Sequence, residues 1–532
     1  MKILHIFQKQ GVFNQKELKM VLSSINFHKD NLMVRSVDEL QMKLGAVPIA
    51  GININTKSRD DIPRILGGLQ YIYVTRNIRE GIFNLLESRM LENVNMNTGR
   101  PGMDLWKIFV LGVLRLDLNC DYDRLCELAN NHKTIRQMLG HSDIFDNQSY
   151  NLQTLKDNVR LLKPELLEEI NQIIVKAGHQ LLSTKKRNEP LRGRCDSFVL
   201  ETHVHFPTDI GLLYDAMRKV IQKVGALSSQ NNLSDWRQYA FNIKQLKKLM
   251  RIIQKTKKSR AQGDDKKKLL EQKLREAHRD MMRKAGYFIE RAKLTMANIK
   301  QIENLSSSAV LEMESIQVFI DHALRQIDQI DRRVLQGQAI PHDEKVFSIF
   351  QPHTEWISKG KAGKPVELGV RVGVIEDQHG FILHHRVMEK ETDDQVAVPM
   401  IIATKAAFPG LHSCSFDKGY HSKNNQKELA DILDAVALRS KGKQSKKAQL
   451  LQDSESFKNA GHKHSAVESC INALEVHGLD KCYDHGIEGF KCYTSLAIVS
   501  RNIHIIGDML HKKSKANLAR KKNATARLLL AA

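Results

Sequence analysis

The chain has 532 residues, too many for one ordinary core, and 42% of them are hydrophobic, enough for two or three folded domains. Its 82 Lys and Arg exceed its 60 Asp and Glu by 22, an excess that favours a polyanionic partner, with nucleic acid first among them. Seven cysteines without C-x-x-C spacing exclude a disulfide framework and a zinc ribbon. No run of about 18 apolar residues suggests a membrane span, and the apolar stretch after Lys2 is too short for a signal sequence, so a cytoplasmic protein is expected.

Residues 1 to about 185 read as mostly helical. The clearest segments run from Met103 to Leu114, Asp121 to Leu128 and Thr134 to Leu139, after a hinge at Thr98-Gly99-Arg100-Pro101-Gly102. Short helices in quick succession suit a helix-turn-helix-like DNA-binding domain or a plain packing bundle. Residues 186 to 214 contain a strand, Cys195-Asp196-Ser197-Phe198-Val199-Leu200, with a carboxylate inside it. A charge there demands a cation, either a metal or a neighbour such as Arg192 or Arg194.

From about 215 to 340 the pattern becomes long basic helices. Ile243, Leu246, Met250 and Ile253 form one stripe, with Lys247, Lys248 and Arg251 among the cations opposite it. Gln262-Gly263-Asp264-Asp265 should break the first helix, and the whole reads as a helical hairpin or small bundle inserted into the chain.

Strands resume between 341 and 510. Val366 to Val374 alternates apolar and polar residues, Asp377-Gln378-His379-Gly380 turns, and Phe381 to Met388 pairs back. A helix from Val396 to Ala407, a strand ending at Asp417, a helix near Gln426 to Leu433, a strand Ala435 to Leu438 and helices from about 463 and 488 follow. A basic tail occupies 511 to 532. The order describes an α/β core interrupted after its first strand.

Asp417 lies where a strand ends and Gly419 permits a turn. Val467, Ile471 and Leu474 make a buried helical stripe, beside which Glu468, Asn472 and Glu475 share a polar face. Asp196, Asp417 and Glu468 in that order suggest a two-metal phosphoryl-transfer site, with Glu475 the rival for the third place. Hard oxygen donors select Mg²⁺, with Mn²⁺ as substitute. His203 with His205, and His462 with His464, have the spacing of zinc ligands but lack an evident third ligand. No phosphate-binding P-loop occurs.

At these residues the sequence resembles the DDE transposases of bacterial insertion sequences, most closely the ISNCY group. The resembling stretches are Cys195 to Thr202 with Phe206-Pro207-Thr208-Asp209, Ser348 to Ile357 with Lys359-Gly360-Lys361, Phe416-Asp417-Lys418-Gly419-Tyr420, and His464 to Glu475 with His477-Gly478-Leu479. The resemblance implies an RNase H-like catalytic core with Asp196 on its first strand, Asp417 beside its fourth and Glu468 on a late helix. It also implies binding of terminal inverted repeats, cleavage and strand transfer, and a dimer or higher assembly on double-stranded DNA in a bacterial cytoplasm, at the nucleoid. The Tyr, Arg and Lys that accompany the catalytic Glu in some related transposases fall here on Gly461, His464 and Glu475. Lys247, Lys248, Arg251, Lys359, Lys361, Lys441, Lys443 and the tail from Lys512 to Lys522 are candidate DNA contacts, and His464 is a candidate phosphate contact. A transposase-derived DNA-binding protein without catalysis, and a metal-dependent nuclease without strand transfer, are the alternatives.

Overall fold

A computed structural model describes residues 45–92, 102–143, 146–260, 262–302, 304–358, 365–442 and 446–531. The chain divides into two compact units, Met1–Glu201 with Val370–Ala532, and Thr202–Gly369.

The first unit begins with helices α1 (Asp61–Val74), α2 (Arg76–Met90), α3 (Leu105–Asp117), α4 (Tyr122–Asn131), α5 (Lys133–Met138), α6 (Leu152–Val159), α7 (Pro164–Gln180) and the single turn α8 (Thr184–Arg187). Their starts follow local chemistry: Asp60, Asp121 and Asn151 each accept a backbone N–H of the first turn, and Pro164 occupies the first position of α7. Helix α3 is apolar on nearly every side and all of its residues are buried. Its two cations are matched, Lys107 to Asp104 at 2.7 Å and Arg115 to Asp484 at 2.7 Å.

Strand β1 (Leu191–Thr202) leads out of this helical region. In the second unit follow α9 (Asp209–Gln230), α10 (Tyr239–Lys258), α11 (Asp264–Lys300), α12 (Ser307–Ile330) and β2 (Glu355–Ser358). The helices start at Asp209 rather than near 215 because Thr208 caps the first of them, its hydroxyl accepting the Gly211 N–H. Leu213, Met217, Val220, Ile221, Phe288, Ile316 and Ile320 form the bundle core. Buried Trp236 donates from Nε1 to Thr295 Oγ1 at 2.9 Å. Helix α10 ends at Lys258 and α11 begins at Asp264, so the expected break is observed, in a bundle of four helices. Short β2, absent from the sequence reading, pairs antiparallel with Val366 to Gly369.

The remainder of the first unit contains β3 (Val366–Asp377, entering it at Val370), β4 (Ile382–Met388), α13 (Asp393–Ala407), β5 (Leu411–Phe416), α14 (Lys423–Ile432), β6 (Ala435–Leu438), α15 (Lys446–Asp453), α16 (Glu455–His464), α17 (Ala466–Leu474), β7 (Lys481–Cys482) and α18 (Gly486–Ala531). Strands β3, β1, β5 and β6 lie in that order, β4 is antiparallel to β3, and β5 is parallel to both β1 and β6. The molecule is therefore mixed α/β, with a mixed sheet. Buried Asn502 clamps β4, accepting the Ile382 N–H at 3.0 Å and donating to the Ile382 carbonyl at 2.9 Å and to Asn171 at 2.7 Å. Such a satisfied amide ties β4, α7 and α18 at fixed register.

The sequence reading placed a separate basic tail at 511 to 532, whereas the structure continues α18 as one helix of 46 residues through it. No Gly or Pro interrupts the stretch after Gly507, and Lys, Arg, Ala and Leu all propagate a helix. Where α18 crosses α1, backbones nearly touch: a Cβ on Gly507 would lie 1.9 Å from the Arg64 carbonyl oxygen, and one on Gly68 2.3 Å from that of Ile503. Gly507→Ala should therefore force the helices apart and cost about 3 kcal/mol or more, read as a drop in the urea midpoint at unchanged slope.

Candidate functional site

Asp196 and Asp417 meet through strand register. Strand β1 pairs in parallel with β5, and the last matched residues are Cys195 and Phe416, so the residue that follows each of them in the chain is an aspartate. Asp196 stands inside β1, mostly buried, and accepts the Ser197 N–H at 2.7 Å. Asp417 leaves the end of β5, where its side chain caps the turn Lys418–Tyr420 by accepting the Gly419 N–H. Asp417 is exposed, because the strand stops before it.

Glu468 lies in the first turn of α17, exposed, with Val467 and Leu474 buried behind it. A carboxylate in that turn is favoured by the helix dipole. Glu475 falls beyond the end of α17, in the irregular turn Glu475–Leu479, and is half-buried.

Burial first, and then the charges of Asp417, Asp393 and Glu468, push the Asp196 carboxyl up to about 6, against the Ser197 N–H that favours its ionised form. Asp417 and Glu468, both singled out from the sequence, are thus within electrostatic reach of Asp196, and Asp393 joins them. Asp393 opens α13 and accepts the Ser197 hydroxyl at 2.7 Å. A Cβ on Gly419 would lie 2.9 Å from Asp393 Oδ2, so glycine at that turn leaves room for this fourth carboxylate. The sequence does announce the start of α13, through the capping box Thr392 and Gln395, but not what Asp393 faces.

The neighbouring arginines do not neutralise Asp196. Arg192 pairs with Glu189 at 3.1 Å and Arg194 with Glu376 at 2.8 Å, and no ion pair involves Asp196 among the described residues. Arg194 also donates to the Asp377 carbonyl at 2.6 Å and to that of Lys463 at 3.4 Å. Burial, opposed by Arg194, pushes the Glu376 carboxyl up to about 7, and the Cys470 thiol hydrogen-bonds it. This network pins the segment that carries Glu468 against β1 and β3, and nothing in the sequence pattern signalled it.

His464 ends α16 with Nδ1 3.0 Å from Ser415 Oγ; burial lowers its pKa, while Asp417 and Glu468 oppose that shift. Lys441 is exposed, and its Nζ donates to the Gly419 carbonyl at 2.7 Å, beside the Asp417 turn. In the second unit, exposed Lys244, Lys247, Lys248, Arg251 and Lys255 line a shallow depression with Ile252. Lys359, Lys361, Lys443 and the Thr98 to Pro101 portion of the expected hinge lie outside the described residues.

Neither His203 with His205 nor His462 with His464 belongs to a three-ligand cluster among the described residues, in keeping with the missing third ligand in the sequence. His205 instead approaches Asp215, with Nε2 3.3 Å from Oδ2, and His462 is exposed. Among the described residues, the group of three metal-capable side chains whose donor atoms all lie within 4.8 Å of one another is Asp117, His477 and His504, all buried. It was not anticipated, because its members come from three distant segments. All seven cysteines are free.

An acid held at a raised pKa destabilises the fold when it ionises. Stability should fall as pH rises from about 4 to about 6, with the cost fully present above that. Asp196→Asn removes the ionisation, so the variant should match the parent near pH 4 and exceed it by about 2 kcal/mol at pH 8. Urea unfolding at both pH values measures this, and equal stability at pH 8 would mean that Asp196 pays no such penalty.

Among the described residues no helix is long and apolar enough to cross a membrane. No family model, no curated protein and no solved structure matches the chain.

Proposed function

We propose that this protein is a DDE-type transposase that binds the terminal inverted repeats of its own element, cleaves a phosphodiester to expose a 3′ hydroxyl and directs that hydroxyl against target DNA. The observation that carries the reading is the meeting of Asp196 and Asp417, each the residue that follows the last matched pair of two parallel strands, with Glu468 within electrostatic reach of Asp196. An RNase H-like core is the finer reading of the α/β unit. It is supported by the position of Asp196 on the first core strand and of Asp417 just past the fourth, counting β1, β3, β4 and β5.

The donor set fits Mg²⁺, or Mn²⁺ in its place: carboxylate oxygens from three elements, a field of negative charge around Asp196, and no lysine or arginine paired with it among the described residues. Divalent cations on these oxygens would supply activation of the attacking oxygen and stabilisation of the leaving oxygen. The chain's own residues do the rest. Asp196, in a strand ordered on both sides, fixes the centre of the site, and Asp417 and Glu468 face solvent, where a DNA backbone can reach them. His464 stands beside both as a phosphate contact, and Lys441 offers its charge at the rim. The basic face of α10 is proposed to carry flanking duplex, and synapsis of two ends calls for a homodimer or larger assembly in a bacterial cytoplasm. The test is cleavage and joining of end-repeat DNA by the purified protein with Mg²⁺. Cleavage without joining would reduce the activity to that of a nuclease, and binding without either would leave a DNA-binding protein.

A further inference from the structure

We propose that Asp117, His477 and His504 hold a structural Zn²⁺ ion, separate from the carboxylates around Asp196. Asp117 is the last residue of α3, His477 lies in the turn after α17, and His504 lies on α18, so a bond to each would staple three segments that are distant in sequence. The three residues are 1%, 8% and 2% exposed. His504 Nδ1 is 3.0 Å from Asp117 Oδ1 and 3.2 Å from Oδ2. His477 Nδ1 is 4.0 Å from Oδ1 and 2.6 Å from the Asp117 carbonyl oxygen. The ligands of a tetrahedral zinc with bonds of about 2.0 to 2.2 Å stand about 3.3 to 3.5 Å apart, so a small contraction on one side and expansion on the other forms the site.

Charge argues the same way. A buried carboxylate needs compensation, and no lysine or arginine pairs with Asp117 among the described residues. The two imidazole rings stand 4.9 Å apart between centroids, on either side of one carboxylate. One dication held by two neutral imidazoles and a carboxylate satisfies all three groups. The nitrogen donors select zinc over the magnesium suited to an all-oxygen site. The Asp117 carbonyl oxygen, beside His477 Nδ1, is available for the remaining position. The ion would fasten the turn that follows the Glu468 helix to the N-terminal helical bundle, a structural role independent of any activity assigned to the acids.

The test uses full-length protein without a histidine tag, produced in zinc-containing medium and desalted. Elemental analysis should find about one zinc per chain, unchanged in the Asp196→Asn, Asp417→Asn double variant and lost in His504→Gln. Protein stripped with a chelator should melt lower than the parent, recover on adding Zn²⁺, and develop the visible bands of tetrahedral cobalt when given Co²⁺. A folded parent that carries well under one zinc per chain and neither gains melting temperature nor binds Co²⁺ would overturn the proposal. So would zinc that disappears with the two aspartates or persists in folded His504→Gln. Should His504→Gln fail to fold, the measurements on the parent and on the aspartate variant decide.

Discussion

Replacing Asp417 by alanine should abolish Mg²⁺-dependent cleavage of element-end DNA, a loss of several orders of magnitude, while leaving DNA affinity and folding largely intact. The residue is exposed at the end of β5, so its side chain contributes little to the core, and the local bond at stake is its capping of one short turn. Asp196→Ala should be as inactive. It differs in one respect, that removing the penalised buried charge makes the variant no less stable than expected for a lost strand side chain. Glu468→Ala should follow, since Glu468 belongs to the charge field acting on Asp196. Glu475, in the irregular turn beyond the helix end, is the control. Near-normal cleavage by Glu468→Ala with loss in Glu475→Ala would transfer the third role, and an Asp417→Ala protein that still cuts would sink the assignment. Gel-resolved cleavage of labelled repeat DNA, alongside binding of the same DNA, separates chemistry from recognition.

The hairpin of β3 and β4 was legible because its alternation and its Asp-Gln-His-Gly turn are local signals, and so was the break before Asp264. Helices α15 and α16 were missed, since Lys446 to His464 is largely polar, although Ser454, which caps α16 by accepting the Phe457 N–H, was a local signal for the second of them. The short strands β2 and β7 were missed for another reason, that four and two residues carry no measurable period. Candidate acids could be named from their places in the strand and helix patterns. Their electrostatic consequence could not, because it depends on Asp393 arriving from another helix and on Arg194 turning to Glu376 instead of Asp196. The same limit hid Asp117, His477 and His504, each of which reads in sequence as an ordinary core or turn residue. Pairwise meetings across hundreds of residues leave no trace in local periodicity.

Affinity for end DNA should fall about a thousandfold or more between 50 and 200 mM salt, as expected for a protein that neutralises about six to ten phosphates. The excess of 22 positive charges is ample for that, and one face of α10 gathers Lys244, Lys247, Lys248, Arg251 and Lys255. That helix buries only Leu246 and Ile253, and Lys247, Lys248, Arg251 and Lys255 stand exposed on it, without ion-pair partners among the described residues. Charges so placed contribute little to folding, so changing all four to Glu should leave the melting temperature nearly unchanged. If they lie along the DNA backbone, the slope of log affinity against log salt should become shallower by about three to four, because each lost phosphate contact removes about 0.9. Cleavage of ends supplied at saturating concentration should survive, since no residue of the acid site is touched. A folded quadruple variant with the parent's salt slope would show that this face is merely solvated, and would move duplex binding to the N-terminal helices or the basic end of α18.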